Sequence, residues 1–309
     1  MHGWRIDRAV HNYIYFAYYH LYVSAFLNAG RFLARRFLWF KGLGRAFGFI
    51  FDRYHAKVLT GVDARKILTL NHDVVIGPDK GKRIIPFHSA NQIILKEPDF
   101  IAVMDCPCRL IKENGCRPVN VCMAVGRTTA QFWLEHCQKY HVRRITQEEA
   151  LKIVAEARER GCITTAWFKV ATGGRTGVIC NCCRCCCGGL EGMRIGRMFD
   201  SKLTNVVPSG YAVEHEAAKC KSCGKCRTVC MFDAITFTES GQRVYDRTAC
   251  MGCGLCTEKC EQKALRLVRD PGKGDPLDLD FVRETMGQGR TPSVGNPAAQ
   301  GRSTERLSR

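Results

Sequence analysis

The chain has 309 residues, 20 of them cysteine, and a formal net charge of +18. That length suits two or three small domains, and the cysteines are too bunched for a secreted disulfide scaffold, so metal or cluster binding in a reducing compartment is the leading reading. The basic balance points to an acidic redox partner or an anionic membrane surface; no nucleic-acid motif is present, and nucleic acid is set aside as a partner.

Residues 1–60 are aromatic and basic, with nine Lys/Arg against two Asp. The run Val10–Leu27 would make a helix of about 27 Å, close to the thickness of a bilayer core. His11, Asn12, His20 and several tyrosines make it a poor membrane span. From Leu33, the residues Leu33, Phe37, Phe40, Leu43, Phe47, Ile50 and Tyr54 keep a helical period, with Arg31, Arg35, Arg45 and Arg53 opposite and Arg36 on the apolar arc. A basic aromatic helix of this kind either lies in a membrane interface or docks on protein. "RRFL" at Arg35–Leu38 is similar to a twin-arginine export signal, but the main apolar run precedes it and no convincing cleavage site follows. The chain therefore reads as cytoplasmic, peripheral on the inner face of the cytoplasmic membrane.

Between residues 83 and 105, "RIIPF", "NQIIL" and "FIAVMD" read as strands, the last running straight into "CPCR". Helices are expected over about 127–140 and over "TQEEALKIVAEARERG", where Thr146 and Glu149 make a capping box and Gly161 follows the end. "TGGRTG" (172–177) has no Walker lysine and reads as a flexible approach to the following cysteines. Residues 271–309, rich in Gly, Pro, Ser and Arg, read as a disordered basic tail.

The strongest signal lies at 220–260. "CKSCGKCRTVC" supplies Cys220, Cys223, Cys226 and Cys230; "CMGCGLCTEKC" supplies Cys250, Cys253, Cys256 and Cys260. Each run is C-x2-C-x2-C-x3-C, and the two are offset by 30 residues. In such runs three cysteines wrap one cubane and the fourth ligates the other. Cys220, Cys223, Cys226 and Cys260 would then hold one [4Fe–4S] cluster, and Cys230, Cys250, Cys253 and Cys256 the second. Gly224, Gly252 and Gly254 would let backbone approach the clusters. This segment, about residues 211–268, resembles the bacterial-type dicluster ferredoxins. It departs from them in having Met231 and Glu261 where that family usually has proline.

Ten further cysteines lie upstream: Cys106, Cys108, Cys116 and Cys122 in "CPCRLIKENGCRPVNVC", and Cys180, Cys182, Cys183, Cys185, Cys186 and Cys187 in "CNCCRCCC". Cys137 and Cys162 remain, and read as small buried residues. Together with "HAKV" and "IAVMDCPCR", these stretches resemble a group of poorly described ferredoxin-family proteins that pair C-x-C-R with C-N-C-C-x-C-C-C ahead of a dicluster domain. That resemblance runs through most of residues 54–268 and implies redox work without naming a substrate. Adjacent cysteines point in different directions, so six in one run suggest bridging ligation or two sites. The cysteines of 106–122 could form a third cubane and four of the six a fourth; or both stretches converge on one unusual cluster, leaving free thiols. One or two further iron–sulfur clusters are expected, with structural zinc as the alternative.

The expected fold is α+β: a helical segment over 1–60, a cysteine-rich α/β domain over 61–204, a dicluster ferredoxin domain over 205–270 and the tail. The expected function is a multi-cluster electron carrier, relaying single electrons between a low-potential donor and a partner oxidoreductase. Two alternatives stand beside it: a redox enzyme using the "CNCCRCCC" thiols, and an iron–sulfur assembly or metal-handling protein. No acid–base constellation supports an enzyme, and His55 and His88 read as packing or surface residues.

Overall fold

The computed structural model describes residues 6–40 and 42–280. Three helices come first: α1 (Ile6–Ala17), α2 (Tyr19–Arg36) and α3 (Gly42–Phe51). Then follow β1 (Tyr54–Leu59), α4 (Gly61–Leu68), β2 (Val74–Ile76), α5 (Pro78–Ile84), β3 (Ile93–Leu95), β4 (Ile101–Asp105), α6 (Pro107–Leu110), β5 (Asn120–Val125), α7 (Arg127–His136), β6 (Arg143–Ile145), α8 (Gln147–Glu159), β7 (Ile163–Lys169), β8 (Arg175–Cys182), α9 (Gly188–Phe199) and β9 (Val206–Val207). The last part holds β10 (Tyr211–His215), α10 (Lys225–Val229), β11 (Ile235–Phe237), β12 (Arg243–Tyr245), α11 (Leu255–Glu258) and β13 (Leu265–Arg269).

The centre of the fold is a seven-stranded sheet in the order β6-β4-β5-β8-β7-β1-β9. Its neighbours pair antiparallel except β1 with β9. Side chains alternate between faces along each strand, and the two faces carry separate cores. Ala56, Val58, Cys122, Ala124, Val178 and Cys182 join a core with Tyr15, Phe16, Tyr19 and Trp133 of the helices. Leu59, Met123, Val125, Phe168 and Ile179 join the opposite core, with Ile67 and Val154 of α4 and α8.

The N-terminal helices are part of this architecture and not an appendage. Phe16 is fully buried, Tyr15 and Tyr19 nearly so, and α2 lays Leu27, Gly30 and Ala34 onto α9. A methyl group at Gly30 would already press on Ile195 at 3.3 Å, so the glycine sets how closely the two helices approach. The single helix expected from Leu33 to Tyr54 is two helices, broken after Arg36, and Tyr54 already belongs to β1. No helix among the described residues is long and apolar enough to cross a membrane.

Several local expectations need correction. "RIIPF" is not a strand: Arg83 and Ile84 end α5, which starts with Pro78 in its first turn, where proline's fixed φ is favourable. "NQIIL" and "FIAVMD" contain β3 and β4 as expected. Thr146 caps α8 through the Glu149 N–H, but the Glu149 carboxylate turns to Arg143, so half the capping box forms. "TGGRTG" closes the turn between β7 and β8, with Gly173 and Gly174 at positive φ. That is the end of β8 away from its cysteines, about 20 Å distant at strand rise. Residues 271–280, expected to begin the tail, are packed: Leu277 and Leu279 are buried, and Asp278 pairs with Lys66. The rest of the predicted tail, 281–309, lies outside the described residues.

Candidate metal centres

The ferredoxin segment shows its internal repeat in three dimensions. Gly224 and Gly254, both in the left-handed region, start α10 and α11. The Ser222 N–H points at Cys220 Sγ (3.4 Å), and 30 residues later the Gly252 N–H points at Cys250 Sγ (3.4 Å). Ala264 N–H aims at Cys260 Sγ at 3.3 Å. Gly252 is indispensable in this turn, since a Cβ there would stand 2.2 Å from the Tyr211 carbonyl. Such N–H groups directed at sulfur stabilise thiolate charge and tune a bound cluster. Cys253 is pushed up to about 11 by burial, with Cys230 and Cys250 adding to the shift. Burial raises Cys256 further, and Cys253, Cys250 and Cys230 reinforce it. Cys230, Cys250, Cys253 and Cys256 border one small cavity. Metal binding, which needs thiolate, would reverse such shifts. The donor set, the repeated N–H···S contacts and the left-handed glycines fit two [4Fe–4S] clusters.

The two positions that depart from proline have other uses. Met231 packs onto the main core. Glu261 pairs with Lys225 of α10, joining the two halves of the repeat.

Two arginines fasten this segment to the rest of the molecule through the second cysteine set. Arg158 of α8, nearly buried, donates to the Cys253 carbonyl at 2.7 Å and forks onto Glu258 at 2.6–3.0 Å. Arg184, in the middle of "CNCCRCCC", makes a bidentate pair with Asp233 (2.7 and 2.8 Å) and reaches the Cys230 carbonyl at 3.4 Å. In the set that these arginines hold, Cys250 and Cys256 are buried and Cys230 and Cys253 half-buried. Cys223 of the other set is exposed.

The ten upstream cysteines divide in a way that their order does not suggest. Antiparallel pairing of β5 and β8 sets Cys122 opposite Cys180, their Sγ atoms 3.3 Å apart. Cys182 is two residues on, on the same face, and its Sγ lies 3.4 Å from the Thr165 hydroxyl. Cys187 caps the N-terminus of α9 and Cys106 that of α6, while Cys108 lies within α6. These six residues, together with Cys183 and Cys186, line a largely apolar chamber of about 980 Å³, which Tyr15, Tyr19, Tyr22 and Tyr54 help to enclose. Cys106, Cys180, Cys182 and Cys187 are each pushed well up, first by a hydrogen bond with a neighbouring thiol and then by burial. Against its lowering hydrogen bond with Cys180, burial raises Cys122 as well, and thiols crowded out of water in this way are costly to ionise without a cation.

The other four, Cys116, Cys183, Cys185 and Cys186, gather beside Arg109 with all Sγ atoms within 4.8 Å of one another, and Cys183 and Cys186 also border the chamber. Neither upstream run thus keeps its members together: Cys116 leaves Cys106, Cys108 and Cys122, and the "CNCCRCCC" thiols go three to each group. Arg109 is buried and donates to the Asn181 carbonyl (3.2 Å), the Pro118 carbonyl and Cys162 Sγ (3.5 Å). Its charge is felt by Cys183, Cys162, Cys106 and Cys116, members of both groups. Cys162, expected to be a packing residue, is indeed buried but touches this second group. Only the pairing of distant segments places it there. Cys137 is buried in the main core as expected. His55 is enclosed between Phe87 and Phe168, with both ring nitrogens facing carbonyls, and His88 is exposed.

Residues 219–265 match the family described as 4Fe-4S dicluster domain. The chain is 37% identical over 72 residues to proteins named archaeal-type glutamate synthase [NADPH] from Thermotoga sp. (strain RQ2) and Thermotoga maritima, covering 23% of this chain and 14% of each relative. It is 41% identical over 49 residues to one of the subunits of the Na(+)-translocating ferredoxin:NAD(+) oxidoreductase complex of Acetobacterium woodii, covering 16% of this chain and 15% of that one. The chain thus spans about one-seventh of the length of these curated relatives. What the sequence, the geometry and the comparisons agree on is a mixed α+β protein whose residues 219–265 are a 4Fe–4S dicluster domain.

Proposed function

We propose that the protein is a multi-cluster electron carrier serving a partner oxidoreductase. Cys220, Cys223, Cys226 and Cys260 would hold an outer [4Fe–4S] cluster, and Cys230, Cys250, Cys253 and Cys256 an inner one. The six chamber thiols, Cys106, Cys108, Cys122, Cys180, Cys182 and Cys187, would hold at least one further iron–sulfur centre. Such clusters take up and release single electrons at potentials that hydrogen bonds, charge and exposure set. The observation that carries the reading is the attachment by Arg158 and Arg184. Both grip the backbone of inner-set cysteines, and Cys230 of that set borders the same cavity as Cys116, Cys183 and Cys185, while Cys223 of the outer set is exposed toward a donor. Relatives named as part of an oxidoreductase complex and as a glutamate synthase support a redox partner of this general kind.

The N-terminal helices supply the support for a membrane site. Phe32, Leu38, Trp39 and Phe40 are exposed, Trp39 at 76%, beside Arg35 and Arg36. That patch supports a peripheral position on an anionic membrane surface, which we place on the cytoplasmic side.

The test is anaerobic iron and sulfide analysis with electron paramagnetic resonance during a redox titration. Intact protein should show one-electron signals from more than two interacting clusters. Cys223→Ser should damage the cluster shared with Cys260 and better preserve the one containing Cys250. Zinc in place of iron in the ferredoxin set, or iron confined to eight atoms alongside many free thiols, would end the relay reading. The second outcome favours thiol chemistry, for which the chamber's volume, larger than a cubane requires, is the supporting observation.

A further inference from the structure

We propose that Cys116, Cys183, Cys185 and Cys186 form a closed tetrahedral site for one divalent ion, zinc or ferrous iron, and take no part in a cubane. The site stands apart from the relay reading and does not depend on it.

Spacing is the first argument. Four thiolates about 2.3 Å from a single tetrahedral ion stand about 3.8 Å from one another. In a cubane each thiolate binds a different iron, and the sulfurs are roughly 6 Å apart. Here all four Sγ atoms fall within 4.8 Å of one another. Cys116 and Cys185 are 3.0 Å apart, and Cys185 and Cys186 3.6 Å. The ferredoxin cysteines provide an internal comparison. Among the described residues, no three of them gather this closely, and neither do three of the chamber thiols. Close pairs occur elsewhere, as at Cys122 and Cys180, but among the described residues only here do four thiols converge on one point.

Backbone shape is the second argument. Side chains of successive residues diverge on a strand, but β8 ends at Cys182 and residues 184–186 form a turn. The turn brings Cys183, Cys185 and Cys186 to one side, opposite Cys116 on the loop after α6. The Cys116 N–H donates to Cys186 Sγ at 3.4 Å, the kind of outer hydrogen bond that orients a thiolate ligand. Three of the four residues are shielded at least in part, and Cys185 is exposed, which leaves a path for the ion.

Charge is the third. Four thiolates around a divalent ion carry a net −2. Arg109 is buried beside Cys116 and Cys183. Arg117, Arg160 and Arg184 line the adjoining cavity together with Cys116, Cys183 and Cys185. A thiolate-only, tetrahedral donor set of this kind selects zinc or a single iron over harder cations.

The site's place in the fold gives it a use. The same cavity is bordered by Thr228, Cys230 and Met231 of the ferredoxin segment. An ion at the four thiols would tie the loop after α6 to the turn before α9. It would thereby fix Arg184, the residue that reaches across to Asp233 and Cys230.

The deciding experiment uses full-length protein purified without oxygen. Zinc and iron are counted, and X-ray absorption is recorded at the edge of the metal that exceeds the sulfide-matched iron. We expect one such ion per chain, with four sulfur neighbours at about 2.3 Å and no iron neighbour. If the ion is iron, a rubredoxin-like Mössbauer signal replaces the zinc edge. Protein produced in cobalt-supplemented medium should show the ligand-field bands of tetrathiolate cobalt. Cys116→Ser and Cys185→Ser should each lose that ion while acid-labile sulfide and cluster signals stay unchanged. Loss of about four irons with their sulfide would make the site a cubane and overturn the proposal. So would wild-type protein with no ion beyond its sulfide-matched iron. Absorption on the unmodified protein decides even if both variants fail to fold.

Discussion

Arg158→Ala is the sharpest probe of how the ferredoxin segment is held. The guanidinium makes two unequal sets of contacts. One is a charge-assisted hydrogen bond to the Cys253 carbonyl at 2.7 Å, of a type that contributes about 1.5–3 kcal/mol. The other is the fork onto Glu258, whose side chain is 42% exposed; solvent screening limits such a pair to about 1 kcal/mol or less. Removing Arg158 should therefore weaken the junction by roughly 2–4 kcal/mol, while Glu258→Ala should cost only the smaller part. The difference of about 2 kcal/mol corresponds to about 30-fold in the opening equilibrium. Hydrogen exchange on cluster-loaded protein can read it from amides of α8, α11 and the Val206–Tyr211 connection. Exchange there should rise by more than tenfold in Arg158→Ala and by less than fivefold in Glu258→Ala, with the distant β4–β6 pair unchanged. Equal effects from the two variants, or none from Arg158→Ala, would refute the claim that the carbonyl contact dominates.

Three other outcomes are expected. Trp39→Ser combined with Phe40→Ser should reduce co-sedimentation with anionic vesicles while leaving the clusters intact, and wild-type binding should weaken with salt; binding that persists in the variant, or a wild type that ignores vesicles and instead co-purifies with a protein, would move the patch from lipid to partner. Burial lowers Lys57 to about 7, against the raising influence of Asp63, and its ammonium donates to the Asp275 carbonyl at 2.7 Å. The unfolded chain holds that proton up to about pH 10.4, so between about pH 7 and 10 it binds more protons than the folded one, and this residue makes stability rise with pH by up to about 1.4 kcal/mol per unit. Lys57→Met should remove that slope in chemical denaturation, and an unchanged slope would show that Lys57 stays charged when folded. Phe16→Ala, at a fully buried position among aromatic rings, should cost about 3–5 kcal/mol and lower the melting temperature, whereas loss of an appended helix would leave it unmoved.

The parts of the structure that were legible in advance are those written locally. The 30-residue repeat of two four-cysteine runs needs no tertiary information, because each run folds around its own turn. The same holds for α8, whose Thr146 cap and following Gly161 mark both ends. What could not be read depends on pairing between distant segments. Cys122 and Cys180 are 58 residues apart and become neighbours only through the β5–β8 register. The exchange of Cys116 into the group of Cys183, Cys185 and Cys186 has the same origin. The N-terminal segment was legible only as a pair of alternatives. Its aromatic period is real and left two readings open, a membrane interface or docking on protein; Phe16, Leu27, Phe47 and Phe51 pack on the protein, while Trp39, in the connection between α2 and α3, stays exposed. "RIIPF" misled because a short apolar run before proline suits a strand or the end of a buried helix equally.

The alternating use of "CNCCRCCC" bears on how the protein matures. Cys180, Cys182 and Cys187 belong to one thiol group and Cys183, Cys185 and Cys186 to the other, so a single short peptide would be shared between the two proposed centres. Filling either centre would freeze the backbone that presents ligands to the other, and the ordering cost would be met once for both. Loading should then be cooperative. Under iron limitation, cells would accumulate fully charged and empty molecules side by side, with half-charged forms scarce, and the empty ones, with ten unmasked thiols, would be the natural targets of oxidation and proteolysis.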